Sequence, residues 1–472
     1  MRRGNRVKCR RLAGLLLIIA FVLFQTAVAE AADSRLSEEQ AQAAVVVDIK
    51  PAHPLMDERL AILVSGLPPQ RPITITAKTR ARDGLWWRSS AVFIADARGR
   101  IDLASQASVV GSYHGPDAMG LFWSMTPDIE PRNADHAFFA QDSSKPMETE
   151  FQISDGRRIL ATRNIARVYA KPDIRVAAAS DGVHGMLYSP GDNAAHPAVL
   201  VIGGSDGGLG RTDVAMLFAS HGFTALALAY FGEPGLPATL EGVPMEYFKR
   251  AIDWLSRQPS VNPNFVAIYG ESRGTEPALW VAASDPRAKA VVARSPSFAL
   301  WGGVTARHLP GAAAWTQNGI PLPYIANKIS LGFAARYLWD ICTGTPVRQT
   351  ALFLENLKDY GDTKPVEIAV ENIHGPILLL AGKDDQIWPS FLMANRIMAR
   401  RGHAYSDALV AYDEVGHPIP YTYAPLRGDF SHEKFAVGGT VHGTVKAQAD
   451  AWPRILEFLE DAASKSTTAR FN

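Results

Sequence analysis

The apolar positions change their rhythm once along the chain. From about Ala44 to Tyr169 they come in short runs: Ala44-Val45-Val46-Val47, Leu60-Ala61-Ile62-Leu63-Val64, Ile73-Thr74-Ile75-Thr76-Ala77 and Ala91-Val92-Phe93-Ile94-Ala95. Gly66-Leu67-Pro68-Pro69 and Asp96-Ala97-Arg98-Gly99 break some of them apart as turns. Short β-type runs with such punctuation predict an antiparallel β-sandwich, of immunoglobulin-like size. Past Lys171-Pro172-Asp173 the runs are longer and alternate with helical patterns. Ala198 to Ile202, Thr224 to Ala229, Ala290 to Ala293, Ile377 to Ala381 and Ala408 to Tyr412 read as buried strands. Between them, Thr212 to Ser220, Glu246 to Leu255 and Ser390 to Arg400 read as helices, and Trp452, Ile455, Leu456 and Leu459 mark a last one. That alternation predicts a mostly parallel α/β sheet.

One run stands out. Phe265-Val266-Ala267-Ile268-Tyr269 leads directly into Gly270-Glu271-Ser272-Arg273-Gly274, and a helical pattern follows at once. A strand, a Gly-x-Ser-x-Gly and a helix form a nucleophile elbow, with Ser272 on the tight turn. The α/β pattern is therefore that of an α/β-hydrolase. The expected organisation is a targeting segment over 1–31, a sandwich over 38–170 and a catalytic domain over 171–465. Residues 297–373, rich in Gly, Pro and aromatics, interrupt the rhythm as an excursion over the active-site face.

A serine hydroxyl needs a base, and the base needs a carboxylate to fix its tautomer and stabilise its cation. In this fold the order along the chain is serine, acid, histidine. Gly382-Lys383-Asp384-Asp385 follows a strand end, which makes Asp385 the candidate acid and Asp384 the alternative. His417, in Glu414-Val415-Gly416-His417-Pro418, follows the next strand and is the candidate base; His403, His432 and His442 lack that placement. An oxyanion hole requires the amide after the serine, Arg273, and one from an earlier strand loop. Gly203-Gly204-Ser205-Asp206-Gly207-Gly208 supplies the second donor through Ser205 or Asp206. That loop is itself a Gly-x-Ser-x-Gly, but more glycine follows Ser205 and no helix starts there, so Ser205 is rejected as nucleophile. It also lacks the spacing of a phosphate cradle, and no His pair has metal-ligand spacing, so no cofactor and no metal are expected.

Composition alters the picture at the N-terminus. Six basic residues between Arg2 and Arg11 precede the uncharged run Leu12 to Phe24, and Ala27-Val28-Ala29 and Ala29-Glu30-Ala31 offer small-x-small cleavage sites. This is a secretory signal pattern, too short in its apolar core for a comfortable span. The expected location is periplasmic or secreted, with an uncleaved membrane anchor as the alternative. Loss of residues 1–31 takes the formal charge from +1 to −4 and leaves no basic run, which excludes a nucleic-acid partner. Of the two cysteines, Cys9 and Cys342, only Cys342 remains, so no internal disulfide can form.

With these residues in place, the chain resembles the acyl-CoA thioesterases and bile acid-CoA:amino acid N-acyltransferases. The resemblance lies in Gly111-Ser112-Tyr113 and Met119-Gly120-Leu121-Phe122-Trp123, in Ala227-Leu228-Ala229-Tyr230-Phe231 and Glu246-Tyr247-Phe248, in the elbow, in Gly416-His417 and in Ala447-Gln448 to Ala451-Trp452. It implies a small-molecule acyl thioester or ester as substrate and the same triad, Ser272, Asp385 and His417. The amino-acid-conjugating members use cysteine at the elbow; serine here favours hydrolysis over transfer to glycine or taurine. A signal peptide pulls against coenzyme A as leaving group, which keeps an extracytoplasmic carboxylic ester hydrolase open. A non-catalytic binding protein is the alternative of a different class.

Overall fold

The computed structural model describes residues 44–129, 139–305, 310–402, 406–426, 431–432 and 435–468. The signal pattern, Cys9, His136 and His403 lie outside the described residues. The described strands between Val46 and Arg167 form antiparallel sheets. One has the order β1 (Val46–Lys50), β2 (Ala61–Ser65), β5 (Ile101–Asp102). The other runs β6 (Val110–Gly111), β4 (Trp86–Ile94), β3 (Pro72–Arg80), β8 (Met147–Ser154), β9 (Ile159–Arg167), with β7 (Thr126–Pro127) also on β4. In β4 the burial alternates residue by residue, with Trp87, Ser89, Ala91 and Phe93 inside. A period of two on a half-buried strand puts one face on a core and the other in water. The short helix α1 (Gly120–Trp123) adds Leu121 and Phe122 to that core.

Lys171 lies between β9 and the first strand of an eight-stranded sheet. Its order is β10 (Arg175–Ala178), β11 (Gly185–Ser189), β13 (Thr224–Leu228), β12 (His196–Ile202), β15 (Val261–Glu271), β16 (Ala288–Arg294), β21 (Ile377–Gly382), β22 (Ala408–Tyr412). The pairs β10/β11 and β11/β13 are antiparallel, and all later pairs are parallel. Every residue of β13 and of β21 is buried. This is why those strands read as unbroken apolar runs: helices cover both faces of a parallel sheet. Helices α2 (Thr212–Ser220) and α8 (Val441–Thr468) cover one face, and their core is continuous with that of the antiparallel sheets. Helices α3 (Met245–Ser256), α4 (Thr275–Ser284) and α7 (Ser390–Arg401) cover the other. The chain is thus an α/β-hydrolase fold preceded by an antiparallel sandwich.

Residues 297–373 carry small sheets, with β14 (Val243–Pro244) paired to β19 (Trp315–Gln317), β19 to β20 (Ile320–Pro321), and β17 (Gly302–Val304) to β18 (Pro310–Ala313). They also carry the helices α5 (Leu331–Thr343) and α6 (Thr350–Tyr360). The two parts of the chain are stitched by backbone contacts. Tyr423 N–H donates to the Met56 carbonyl and Leu426 N–H to the Trp123 carbonyl, both at 2.9 Å. His221 Nε2 lies 2.7 Å from Asp57 Oδ2.

Phe218 of α2 packs its ring against Phe223, Tyr269 and Trp452, with centroids 5.9, 5.8 and 4.8 Å away. It joins α2, β15 and α8 in one contact. Phe218→Ala removes that ring and leaves a void, and the expected cost is about 3–5 kcal/mol. A urea unfolding midpoint close to that of the unsubstituted protein would contradict this.

Candidate active site

The site is built at the carboxyl ends of β12, β15, β16, β21 and β22, where loops leave the parallel strands. Ser272 follows β15 with φ +51, the left-handed region that a non-glycine residue rarely occupies. It begins a single 3-10 turn, Ser272–Gly274, that passes straight into α4. The two flanking glycines are needed for space. A Cβ on Gly270 would meet Gly274 O at 2.8 Å and Ala278 Cβ at 2.9 Å, and one on Gly274 would fall 2.2 Å from Gly203 O. Both Gly270 and Gly274 lie where β15, the turn and the glycine loop touch backbone to backbone. Thr275 Oγ1 donates to the Ser272 carbonyl at 2.7 Å and accepts from Ser297 N–H at 3.1 Å, which locks the turn.

Three of the residues singled out in the sequence converge. His417 Nε2 is 2.9 Å from Ser272 Oγ, and His417 Nδ1 is 2.9 Å from Asp385 Oδ2. The other oxygen of Asp385, Oδ1, accepts the N–H groups of Ile387 and Trp388 at 3.0 and 3.1 Å. Asp384 faces away: its Oδ2 accepts Gly439 N–H at 2.8 Å. The histidine loop is pinned from several sides. Ser295 Oγ donates to the His417 carbonyl at 2.6 Å, His417 N–H donates to the Val437 carbonyl at 2.8 Å, and Arg294 donates to the Ile419 carbonyl. Trp388 packs edge-on to the imidazole with centroids 5.8 Å apart, and its Nε1 donates to the Ser295 carbonyl at 3.2 Å. Burial disfavours the charged imidazolium, yet the Asp385 carboxylate and its hydrogen bond, with Glu271 nearby, outweigh that and hold His417 above its usual value.

The glycine loop lies against the serine through Gly204, whose added Cβ would sit 3.3 Å from Ser272 Cβ. Tyr230 OH donates to both the Gly203 carbonyl, at 3.0 Å, and the Gly204 carbonyl, at 2.5 Å. Because a peptide is planar and trans, fixing the Gly204 carbonyl also fixes the direction of the Ser205 N–H. Burial pushes the Tyr230 phenol far up, so it remains a donor. Ser205 and Asp206 are exposed and make no hydrogen bond to the described residues. Their amides stay free for a ligand. No helix begins between Ser205 and Thr212, so Ser205 has no elbow geometry.

Glu271 and Arg273, which flank the serine, have ion-pair partners that the sequence does not reveal: Glu276, Arg211 and Arg294. Arg273, a candidate for its amide, also buries its guanidinium: Nη1 and Nη2 donate to the carbonyls of Gly302 and Trp301 at 2.9 and 3.1 Å, and Nε lies 2.5 Å from Glu276 Oε1. Glu276, fully buried, accepts at Oε2 from Trp301 N–H at 3.0 Å and Trp315 Nε1 at 2.7 Å. Burial raises its carboxyl in spite of Arg273. The pair fastens Trp301, Gly302 and Trp315 to the elbow turn and the first turn of α4. Glu271 lies 3.2 Å from Arg211 and 3.2 Å from Arg294. Burial alone would raise the Glu271 carboxyl; the two guanidiniums outweigh it and hold it below the usual range. The only signal for these residues in the sequence is a charge placed at the end of, or just inside, an otherwise apolar run.

Chemically the arrangement sets a serine hydroxyl, an imidazole and a carboxylate in one hydrogen-bonded line beside free amides, among groups that hold each in place. Among the described residues no group of His, Cys, Asp and Glu could hold a metal ion. Family models match both parts of the chain. Residues 57–180 match the acyl-CoA thioester hydrolase/BAAT N-terminal region, and residues 243–465 match the BAAT/acyl-CoA thioester hydrolase C terminal. The chain is 30% identical over 417 residues to the peroxisomal succinyl-coenzyme A thioesterase of Mus musculus, covering 85% of this chain and 93% of that protein. It is 30% identical over 423 residues to acyl-coenzyme A thioesterase 6 of Homo sapiens, with coverages of 85% and 93%. Among solved structures, it is similar to a putative dienelactone hydrolase from Klebsiella pneumoniae, at 16% identity and a TM-score of 0.38 over 61% of this chain and 98% of that one. The chain belongs to the acyl-CoA thioester hydrolase/BAAT family, over both its N-terminal and C-terminal regions.

Proposed function

We propose that the protein is a thioester hydrolase acting on acyl-CoA-type substrates, with Ser272 as nucleophile, His417 as general base and acid, and Asp385 as the orienting carboxylate. The observation that carries this is the unbroken line Asp385–His417–Ser272, with 2.9 Å at each link, on a serine held at φ +51. Kinship with the coenzyme A thioesterases supplies the substrate class.

In the first half-reaction Ser272 Oγ attacks the thioester carbonyl carbon while its proton passes to His417 Nε2. Nδ1–H donates to Asp385, which stabilises the imidazolium. The carbonyl oxygen becomes an oxyanion, met by the amides of Arg273 and of Ser205 or Asp206. The C–S bond breaks and the thiol leaves with the proton from His417. In the second half, water gives a proton to His417 and attacks the acyl-serine; the carboxylic acid departs and Ser272 regains its proton. A thiolate is a weak base, so its departure asks less of the imidazolium than an alkoxide would. Deacylation then carries the greater dependence on His417.

A second reading is supported by the N-terminal signal pattern, which would carry the chain to where coenzyme A esters are scarce: an extracytoplasmic carboxylic ester hydrolase using the same residues. Acyl transfer to an amine would follow the same acyl-serine. The division of labour into a sandwich, 38–170, and a catalytic part, 171–465, belongs to this proposal, with the sandwich bracing the histidine loop. The assay offers acyl-CoAs of several lengths, p-nitrophenyl esters, and glycine or taurine as acceptors. Ser272→Ala is expected to lower turnover by about a millionfold. Turnover that survives this substitution removes Ser272 from the mechanism. Ester turnover without thioester turnover selects the second reading, and amide product selects transfer.

The pH profile follows from His417. Its neutral form is the base and its folded value is raised, so kcat/KM is expected to rise with pH through a midpoint above the ordinary imidazole value of about 6.5. Asp385→Asn removes the main support of the cation. It should move that midpoint down and lower kcat on the order of ten-thousandfold. An unmoved midpoint would discard Asp385 as the orienting acid. Tyr230→Phe frees the Gly204–Ser205 peptide and is expected to cost on the order of tenfold in kcat with KM little changed. Unaltered kcat would show that Tyr230 does not set that amide.

A further inference from the structure

Glu271 ends β15, next to Ser272, and meets two arginines that arrive from other parts of the chain. Its Oε2 lies 3.2 Å from Arg211 Nε and accepts from Arg294 Nη1 at 3.2 Å. Arg211 closes the glycine loop. It stands at the start of α2 with φ +60, and its stem lies against Gly203, where an added Cβ would be 3.1 Å from Arg211 Cγ. Arg294 ends β16, with a side chain only 3% exposed, and its Nη2 donates to the Ile419 carbonyl just past His417. A further member returns from the histidine loop. Tyr421 OH donates to Asp213, which lies 3.6 Å from Arg211. The Tyr421 ring also touches both guanidiniums, with its centroid 5.0 Å from that of Arg211 and 5.1 Å from that of Arg294. The contacts close a ring: Glu271, Arg211, Asp213, Tyr421, then along the loop to Ile419, Arg294 and Glu271 again.

We propose that Glu271 is a positioning residue for the reaction, holding the glycine loop and the histidine loop to the Ser272 turn and serving as a second countercharge for the His417 ring. The role rests on the reading of Ser272, His417 and Asp385 proposed above. The ring joins the three segments that have to meet: the turn of Ser272, the loop of the free Ser205 and Asp206 amides, and the loop of His417. A carboxylate oxygen can accept from two guanidiniums at once. A neutral amide could accept the same bonds, but it would leave two guanidiniums beside each other without a countercharge. The site therefore requires the charge of Glu271 as well as its shape.

The charged groups that face the imidazole come from three elements: Asp385 after β21, Glu271 at the end of β15 and Arg294 at the end of β16. The two carboxylates favour the imidazolium, and Arg294 disfavours it. Glu271 itself stays ionised because Arg211 and Arg294 outweigh its burial. Two members of one ion pair thus act on His417 with opposite sign. Packing alone has no such property, since breaking the pair from either end loosens the same contact.

Titration of His417 gives a readout that needs no substrate. In the full chain with isotope-labelled histidine, the His417 ring resonance is identified by its loss in His417→Gln and followed with pH. Glu271→Gln is expected to lower its midpoint, and Arg294→Gln to raise it. On whichever thioester or ester the unsubstituted chain turns over, Glu271→Gln should lower kcat on the order of tenfold with KM little changed. Neutral His417 is the base, so that deficit should shrink as pH falls, whereas the deficit of Arg294→Gln should grow. A midpoint unmoved by Glu271→Gln overturns the proposal, and so does displacement in the same direction by both substitutions. Opposite displacements with unaltered kcat would overturn the positioning of the loops. Should Glu271→Gln fail to fold, Arg294→Gln decides alone, and a midpoint that does not rise refutes the role. An unsubstituted chain that turns over neither class of substrate removes the reading of Ser272, while the His417 midpoints still test Glu271.

Discussion

The left-handed backbone at Ser272 is the constraint on which the site depends. A non-glycine residue at φ +51 costs about 1–3 kcal/mol, and it persists only where the surroundings leave no alternative. Here those surroundings are backbone rather than side chain: Gly270 against Gly274 and α4, and Gly274 against the Gly203 carbonyl. The elbow and the glycine loop therefore fix each other. Ser272 and the amides facing it cannot move separately, because the same contact positions both. Tyr230 extends that contact, since its hydroxyl holds the two carbonyls of the loop.

Buried charge provides a second frame around the first. Arg273 and Glu276 tie the excursion to α4, while Arg211, Arg294 and Glu271 join β15, β16 and the start of α2. Such pairs give little net stability, because desolvation consumes most of the Coulombic gain. Their effect is geometric and electrostatic. Arg294 reaches the Ile419 carbonyl in the histidine loop, and Glu271 adds negative potential at the His417 ring. The same loop continues to Tyr423 and Leu426, which bond to Met56 and Trp123 of the antiparallel part. The loop of His417 is thus braced by both parts of the chain, a physical reason for the two to travel together.

Much of this was legible in the sequence for identifiable reasons. Strands buried on both faces, such as Ile377 to Ala381, appear as continuous apolar runs, and Ser272, Asp385 and His417 each follow such a run. Strands β8 (Met147–Ser154) and β9 (Ile159–Arg167) were harder to see, because Glu148, Glu150, Gln152 and Arg163 dilute the apolar positions of half-exposed strands. Tyr230 stood within a recognised stretch, yet its role depends on carbonyls 26 and 27 residues away. Arg294 was harder still. Its partners lie 23 residues back, at Glu271, and 125 residues on, at Ile419. A run of apolar residues announces its own burial, whereas a lone charge at the end of one announces nothing until the fold supplies its partners.

The described residues of the 297–373 excursion are fastened to the rest of the chain at many points, the β14–β19 pairing, the Val347–Phe435 bridge and the Arg400 pairs with Glu367 and Glu371 among them. Arg273 and Glu276 hold the beginning, through Trp301, Gly302 and Trp315; Thr350 and Phe353 hold the end, against Asp385 and Trp388. The serine is thus set by the strand ends and the elbow, while the excursion reaches the elbow through Arg273 and Glu276 and reaches the Asp385 loop through Thr350 and Phe353.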